Sequence, residues 1–152
     1  MATADPYAPL KLENQLCYPI YLCAKEITQR YAPLLRRLDL TYTQYIVMMY
    51  FWEAGPSSQK DVSRALLLDP STLTPLLRKL EAKGYISRKK SEADGRSLVL
   101  SLTEKGARLR DEALSVPEQM GCRIGLDMEE ALAMRGLICK VLSNVRKDKE
   151  RT

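Results

Sequence analysis

The chain has 152 residues with 45% hydrophobic and 28% charged content, the proportions of an ordinary globular domain with a sizeable core. Its 24 basic against 19 acidic side chains give a formal net charge of +5, which leans towards an anionic partner without requiring one. The lack of histidine excludes a histidine-based catalytic triad, an H-E-x-x-H site and Cys/His zinc sites, and the four cysteines, Cys17, Cys23, Cys122 and Cys139, form no C-x-x-C pair.

Pro6 and Pro9 oppose helix, so residues 1–9 read as an arm. The first residues carry no basic region followed by an apolar run, and no stretch is long enough to span a bilayer. The expectation is therefore a cytoplasmic protein with no membrane partner and with reduced thiols. From Leu10 onward Leu12, Leu16, Ile20, Cys23 or Ala24, Ile27, Tyr31 and Leu34 or Leu35 recur three or four apart, as on one face of a helix running to about residue 38. Pro19 is expected to bend this helix and Pro33 to break or restart it. Thr41-Tyr-Thr-Gln44 has the spacing of a capping box. It predicts a helix over Tyr42–Glu53, whose run YIVMMYFWE makes it the central buried element, stopped at Gly55-Pro56. Ser57 or Ser58 then caps a short helix with Val62 and Ala65-Leu66 inward.

In residues 69–102 Asp69 suits an N-cap that accepts backbone hydrogen bonds, and Pro70 suits the first helical position. Leu73, Leu76 or Leu77, and Leu80 keep helical spacing to the stop at Gly84, giving a recognition helix over Asp69–Lys83. Strands over Tyr85–Lys89 and Ser97–Leu102 follow, joined through the polar tip Glu92-Ala-Asp-Gly95. A short helix followed by a basic hairpin is how a winged helix-turn-helix is built, and it reads as a module for double-stranded DNA. The start of the helix offers Ser71, Thr72, Thr74 and Pro75 to base edges, with Arg78 and Lys79 reaching phosphates or an adjacent base. On the wing, Arg88, Lys89 and Lys90 flank the DNA backbone, and Arg96 projects towards the minor groove.

Thr103 caps a helix through about Leu114, and Pro117 ends or restarts it. Asp127-Met-Glu-Glu130 is a second capping box, opening a last helix with an apolar stripe through Ala131, Met134, Ile138, Val141 or Leu142, and Val145. The charged tail RKDKERT is expected to fray. The resulting fold class is mainly α: a winged helix-turn-helix at residues 57–102 within a single domain over 1–152, with helices at 10–38 and 104–147 forming a dimerisation region. Apolar stripes at both chain ends exceed what a winged-helix core needs, which predicts a homodimer on a pseudo-palindromic operator. No cofactor and no metal is expected.

Cys17 sits among Tyr18, Tyr21 and Cys23, with Tyr31, Tyr42 and Tyr45 in or beside adjacent turns. Tyrosine hydroxyls that converge on a thiolate stabilise it; otherwise such a cysteine is an inert core residue. Both readings stand on the residues alone.

Three separated segments carry a resemblance: LKLENQLCYPIY at 10–21, DLTYTQYIVMMYFWE at 39–53 and LLLDPSTLTPLLRKLEAKGYISRKKSEADGRSLVLSLTEKG at 66–106. Through them the chain resembles the MarR family of winged-helix repressors, and within it the organic-hydroperoxide resistance regulators, OhrR. The resemblance implies that Cys17 is the peroxide sensor, with Tyr31 and Tyr42 hydrogen-bonded to it and Tyr21 lining the region. It implies an organic hydroperoxide as oxidant. The second thiol is either Cys122 of the partner subunit, closing an intersubunit disulfide, or a low-molecular-weight thiol. Cys23 reads as core and Cys139 as packed in the terminal helix. Two departures, Pro70 after Asp69 and Asp94-Gly95-Arg96 at the wing tip, bear on the operator sequence. The alternatives are a MarR-type repressor released by a small phenolic or drug-like effector, a thiol peroxidase, and an architectural DNA protein.

Overall fold

A computed structural model of the chain describes residues 5–90 and 98–149. Its contacts fall into two compact units, Met1–Val116 and Pro117–Thr152. The first unit opens on two 3-10 turns, Ala8–Leu10 and Leu12–Asn14, in place of the helical start expected at Leu10. Side chains hold these turns. The Asn14 amide donates to the Ala8 carbonyl at 2.7 Å, the Gln15 amide donates to the Pro9 carbonyl, and Lys11 pairs with Asp5 at 2.7 Å. Helix α1 then spans Cys17–Arg36. Pro19 falls in its first turn, where a missing N–H costs no hydrogen bond, and the helix runs past Pro33 to Arg36, so the expected break does not occur. Only Leu34 and Leu35 of α1 are buried.

Helix α2, Tyr42–Ala54, begins on the expected capping box. The Thr41 hydroxyl accepts from Gln44 N–H at 3.3 Å, and the Gln44 side chain accepts from Thr41 N–H at 3.0 Å. Tyr45, Val47, Met48 and Phe51 are buried, which makes α2 the core element of this unit. Ser57–Ser58 forms β1, a strand too short to show an alternation in sequence, and Ser58 caps α3, Gln59–Leu66, through Asp61 N–H at 3.2 Å. Of the three inward residues expected on α3 only Val62 is buried; Ala65 is exposed and Leu66 half-buried.

Leu67 turns the chain in the left-handed conformation (φ 56°) into α4, Pro70–Ala82. Leu73, Leu76, Leu77 and Leu80 are its buried stripe, as their spacing predicts. Strands β2, Ile86–Lys90, and β3, Leu98–Leu102, pair antiparallel with Ile86 opposite Leu102 and Lys90 opposite Leu98. β1 adds to the other edge of β3, giving the order β1-β3-β2. Helix α5, Glu104–Ala113, starts at the Thr103 cap, and α6, Ser115–Ile124, restarts the chain with Pro117 in its first turn. In the second unit the Asp127–Glu130 capping box is formed, by bonds of 2.9 and 3.0 Å. The following α7, Met128–Lys149, is helical through residues expected to fray. Among the described residues no helix is long and apolar enough to cross a membrane.

The foot of α4 is fastened from three sides. Lys83, its C-cap, pairs with the Asp39 carboxylate at 3.0 Å and donates to the Asp39 carbonyl and to Gln44 Oε1. The buried Tyr85 hydroxyl donates to the Leu38 carbonyl at 3.1 Å, and Lys105 Nζ donates to the Lys83 carbonyl at 2.8 Å. Gly106 lies against the same strand entry, and its carbonyl accepts from the Trp52 indole at 2.9 Å. A Cβ at residue 106 would stand 1.9 Å from the Tyr85 carbonyl oxygen, so only glycine admits this approach. Gly106→Ala is therefore expected to destabilise the fold by about 1–3 kcal/mol or more, by forcing the backbone apart. Thermal unfolding with an unshifted midpoint would show that α5 and β2 can separate without cost.

Candidate nucleic-acid interface and thiol site

The buried leucines of α4 orient the opposite side outward. Ser71, Thr72, Pro75, Arg78 and Lys79 are exposed, and among the described residues none of their side chains has a protein partner. The helix start differs from expectation in its cap. Asp69 occupies the N-cap with extended backbone, but its carboxylate caps nothing; its own carbonyl accepts from Thr72 and Leu73 N–H at 3.0 and 2.9 Å. Pro70 supplies no N–H, the bond from Leu73 is the first of the helix, and the bond from Thr72 takes up one of the donors that a capping carboxylate would accept. Thr74 is half-buried and committed. Its hydroxyl donates to the Pro70 carbonyl at 2.7 Å and accepts from the Gln59 amide at 2.8 Å.

The wing separates its cations. Lys89 and Lys90 are exposed. Arg88 stands opposite Leu100, which is buried, and directly opposed residues of an antiparallel pair share a face. Its guanidinium is accordingly drawn inward: Nε lies 3.6 Å from Glu81 Oε2 on α4 as an ion pair, and Nε and Nη2 are buried without a hydrogen-bond partner among the described residues. Arg88 thus braces strand to helix instead of standing beside Lys89 and Lys90 on the outer surface. Arg96, with the tip at Glu92–Gly95, lies outside the described residues.

Cys17 is the first residue of α1, exposed and free. Tyr21 is exposed beside it, whereas the Tyr31 ring packs at a tilt against Tyr42, with centroids 4.8 Å apart, and lies 6.0 Å from Tyr45. Tyr31 follows Cys17 by fourteen positions on one unbroken helix. That is about 21 Å along the axis at 1.5 Å per residue, beyond hydrogen-bonding reach. Tyr31 and Cys17 of one chain therefore do not meet, and no hydrogen bond joins Cys17 to Tyr21 or Tyr42 among the described residues. Burial, and next the neighbouring Tyr42, pushes the Tyr31 hydroxyl above the usual tyrosine range, so it keeps its proton and remains a donor at neutral pH. Cys122 and Cys139 are exposed, not packed, and Cys23 is half-buried; none is in a disulfide. A cavity of about 480 Å³ lies between α1 and the start of α2, with Arg36, Asp39, Tyr42 and Lys83 in its wall. Among the described residues no cluster of three or more Cys, Asp or Glu could hold a metal ion.

Sequence reasoning passed over Gln59, Glu81 and Lys83. Each reads as an ordinary surface residue, and only its partner across the fold makes it part of the site.

Comparison with known proteins gives concordant results. The family described as transcriptional regulator SarA/Rot matches residues 29–113. The organic hydroperoxide resistance transcriptional regulator of Bacillus subtilis is 41% identical over 128 residues, covering 84% of this chain and 85% of that protein. Among solved structures, reduced AbfR bound to DNA superimposes with a TM-score of 0.73 at 28% identity, over 90% of this chain and 94% of its own. Disulfide-formed AbfR does so with a TM-score of 0.64, also at 28% identity, over 87% and 93%. AbfR is a Staphylococcus epidermidis protein.

Tyr45 and Tyr85, like Tyr31, are raised by burial first and by neighbouring charge second. The folded state holds these protons more tightly than the unfolded state does. Their contribution is therefore fully present below the ordinary tyrosine value, about 10, and is lost as pH climbs through the raised values. Denaturant titrations are expected to show stability falling with pH above about 10, and falling less steeply in Tyr45→Phe and Tyr85→Phe. Parallel curves for wild type and both variants would contradict the burial assigned to these hydroxyls.

Proposed function

The chain belongs to the MarR family of winged-helix transcriptional regulators, and from that premise we propose that it is a cytoplasmic, homodimeric repressor that senses organic hydroperoxides through Cys17. Family and fold make it a regulator, not an enzyme, which removes the thiol peroxidase reading. The observation that carries the proposal is Cys17 itself: a free, exposed thiol at the head of α1, in a chain similar to an organic hydroperoxide resistance regulator. The Cys17 thiolate attacks the peroxide and takes one oxygen. The O–O bond breaks, an alcohol leaves, and a sulfenic acid remains; a second thiol then forms the S–S bond and releases water. That thiol is Cys122 of the partner subunit or a low-molecular-weight thiol.

DNA contact is assigned to the uncommitted outer face. Ser71, Thr72 and Pro75 meet base edges, Arg78, Lys79, Lys89 and Lys90 meet phosphates, and Arg96 enters the minor groove. Thr74 contributes through its methyl group and one remaining lone pair. Two-fold symmetry places two such faces about one helical turn apart, roughly 34–36 Å, on a pseudo-palindromic duplex. The dimer is supported by apolar side chains left in water at both chain ends. These include Leu10, Leu12 and Leu16 in the first unit, and Leu132, Leu137 and Val145 in the second. It also supplies what one chain lacks: the hydroxyls that hold the sensor are those of Tyr31 and Tyr42 of the partner subunit.

A second reading rests on the cavity beside Tyr42. Lined by Arg36 and Tyr42, with Lys83 already paired to Asp39, it suits a small phenolic or drug-like effector, which would release DNA with all four thiols inert.

Titration of the DNA complex with cumene hydroperoxide, with non-reducing gels and intact mass in parallel, separates these readings. Cys17→Ser is expected to stay bound throughout; its full release would overturn sensing at Cys17 and favour the effector cavity. A covalent dimer that appears with release and is absent in Cys122→Ser identifies Cys122 as the second thiol. Mixed dimers test the tyrosines. When a Cys17→Ser subunit pairs with a Tyr31→Phe subunit, the remaining thiol faces an intact tyrosine and should respond as in wild type. When Cys17→Ser and Tyr31→Phe share a subunit paired with a wild-type one, the response should slow. Equal rates in the two arrangements would remove Tyr31 from the site.

A further inference from the structure

Gln59 is the first residue of α3, and its amide reaches across the helix-turn-helix to the recognition helix. The hydrogen bonding there is over-determined. The Thr74 hydroxyl has one hydrogen, and it goes to the Pro70 carbonyl at 2.7 Å. Whatever approaches the Thr74 oxygen at 2.8 Å must therefore donate, which fixes the amide with its nitrogen towards Thr74. One N–H and Oε1 of Gln59 are then left over, in a plane that can no longer flip. Among the described residues neither has a protein partner. Ser71, Thr74 and Arg78 are three and four residues apart and so share one side of α4, with Ser71 and Arg78 fully on the outer face. Gln59 abuts that side while remaining half-exposed.

Resting on the reading of this face as DNA-binding, we propose that Gln59 is a specificity-determining residue that reads one base pair of each operator half-site in the major groove. A coplanar donor and acceptor match the N7 acceptor and N6 donor of adenine, so the base recognised is adenine. Thr74 is the positioning residue: it takes up the nitrogen that would otherwise let the amide rotate, and so selects the edge presented. This divides the reading head into a rigid amide held by both helices and the freer hydroxyls of Ser71 and Thr72.

The operator is obtained by selection of the reduced wild-type protein on a randomised duplex pool, and affinities are measured on duplexes substituted singly at each position. Wild type should prefer adenine at one symmetry-related position. Gln59→Ala should flatten that preference by roughly 5- to 150-fold, the discrimination of one bidentate pair, while leaving every other position as in wild type. Thr74→Val, which keeps the shape but loses the hydroxyl, should flatten the same position. The salt dependence should not change in either variant, because neither substitution removes a charge. A Gln59→Ala protein that retains every wild-type preference overturns the proposal. So does one that weakens equally on all sequences, since that marks a contact to the DNA backbone and not to a base. Gln59→Glu guards against misfolding: it keeps the length of the side chain and loses the donor to Thr74, and it should lose the adenine preference with an unchanged unfolding midpoint. If wild type selects no sequence at all, the DNA-binding reading itself fails, a result visible before any variant is made.

Discussion

The fastening of the recognition helix to the corner between α1 and α2 is the interaction on which the rest of the first unit depends. Lys83 carries most of it. As the C-cap of α4 it joins Asp39 and the buried Gln44, which itself completes the capping box of α2. One cation therefore ties the end of one helix to the start of another. Tyr85 adds a buried hydrogen bond to Leu38, and the close approach of Gly106 to the Tyr85 carbonyl brings α5 onto the same point. Asp39 takes the left-handed conformation (φ 52°), which aspartate tolerates better than bulky residues and which turns its carbonyl and carboxylate towards Lys83. The reading face is thereby joined to the turn that follows α1 and to the start of α2.

The same economy sorts the basic residues. A net positive charge says that an anion is welcome, but not where. Lys83 and Arg88 are spent within the protein, on Asp39 and Glu81, and are only about a quarter exposed. Arg78, Lys79, Lys89 and Lys90 have no such commitments among the described residues and face water. Arg88 is the more instructive of the two inner cations. Its strand neighbours make it look like part of a basic hairpin surface, yet β-pairing with Leu100 turns it inward. The energetic consequence is that the wing root is held by a partly desolvated ion pair, in which removal of Glu81 would leave charge in an apolar setting.

The proposed thiol chemistry depends on helix length. Cys17 and Tyr31 are more than three turns apart on α1, with the cysteine at one end and Tyr31, in ring contact with Tyr42 of α2, towards the other. A rigid rod cannot fold its own ends together, so a sensor built from both must use two rods. The exposed apolar side chains at both chain ends are consistent with that requirement, because a helix that buries little on its own chain needs another surface.

Local rules written in a few adjacent residues were legible in the sequence: the Thr41–Gln44 and Asp127–Glu130 capping boxes, the Thr103 cap, the leucine stripe of α4 and the paired wing strands all form as their spacing predicts. Each is decided within one or two helical turns or by a period-two pattern, so the chain alone settles it. Whatever depended on a partner distant in sequence was not legible. Ser57–Ser58 becomes a strand only because β3 offers an edge, Arg88 becomes a brace only because Glu81 and Leu100 surround it, and Gln59 matters only because Thr74 has already given its hydrogen away. The resemblance placed Tyr31 and Tyr42 at Cys17, but the pitch of an unbroken helix keeps Tyr31 away from it within one chain. Capping and periodicity determined the main helices and the wing, and so a winged helix-turn-helix; the likeness of three segments pointed to the family. The tertiary structure decided which side chains remain free to act, because a hydrogen bond or an ion pair consumes a group without leaving any mark in the order of residues.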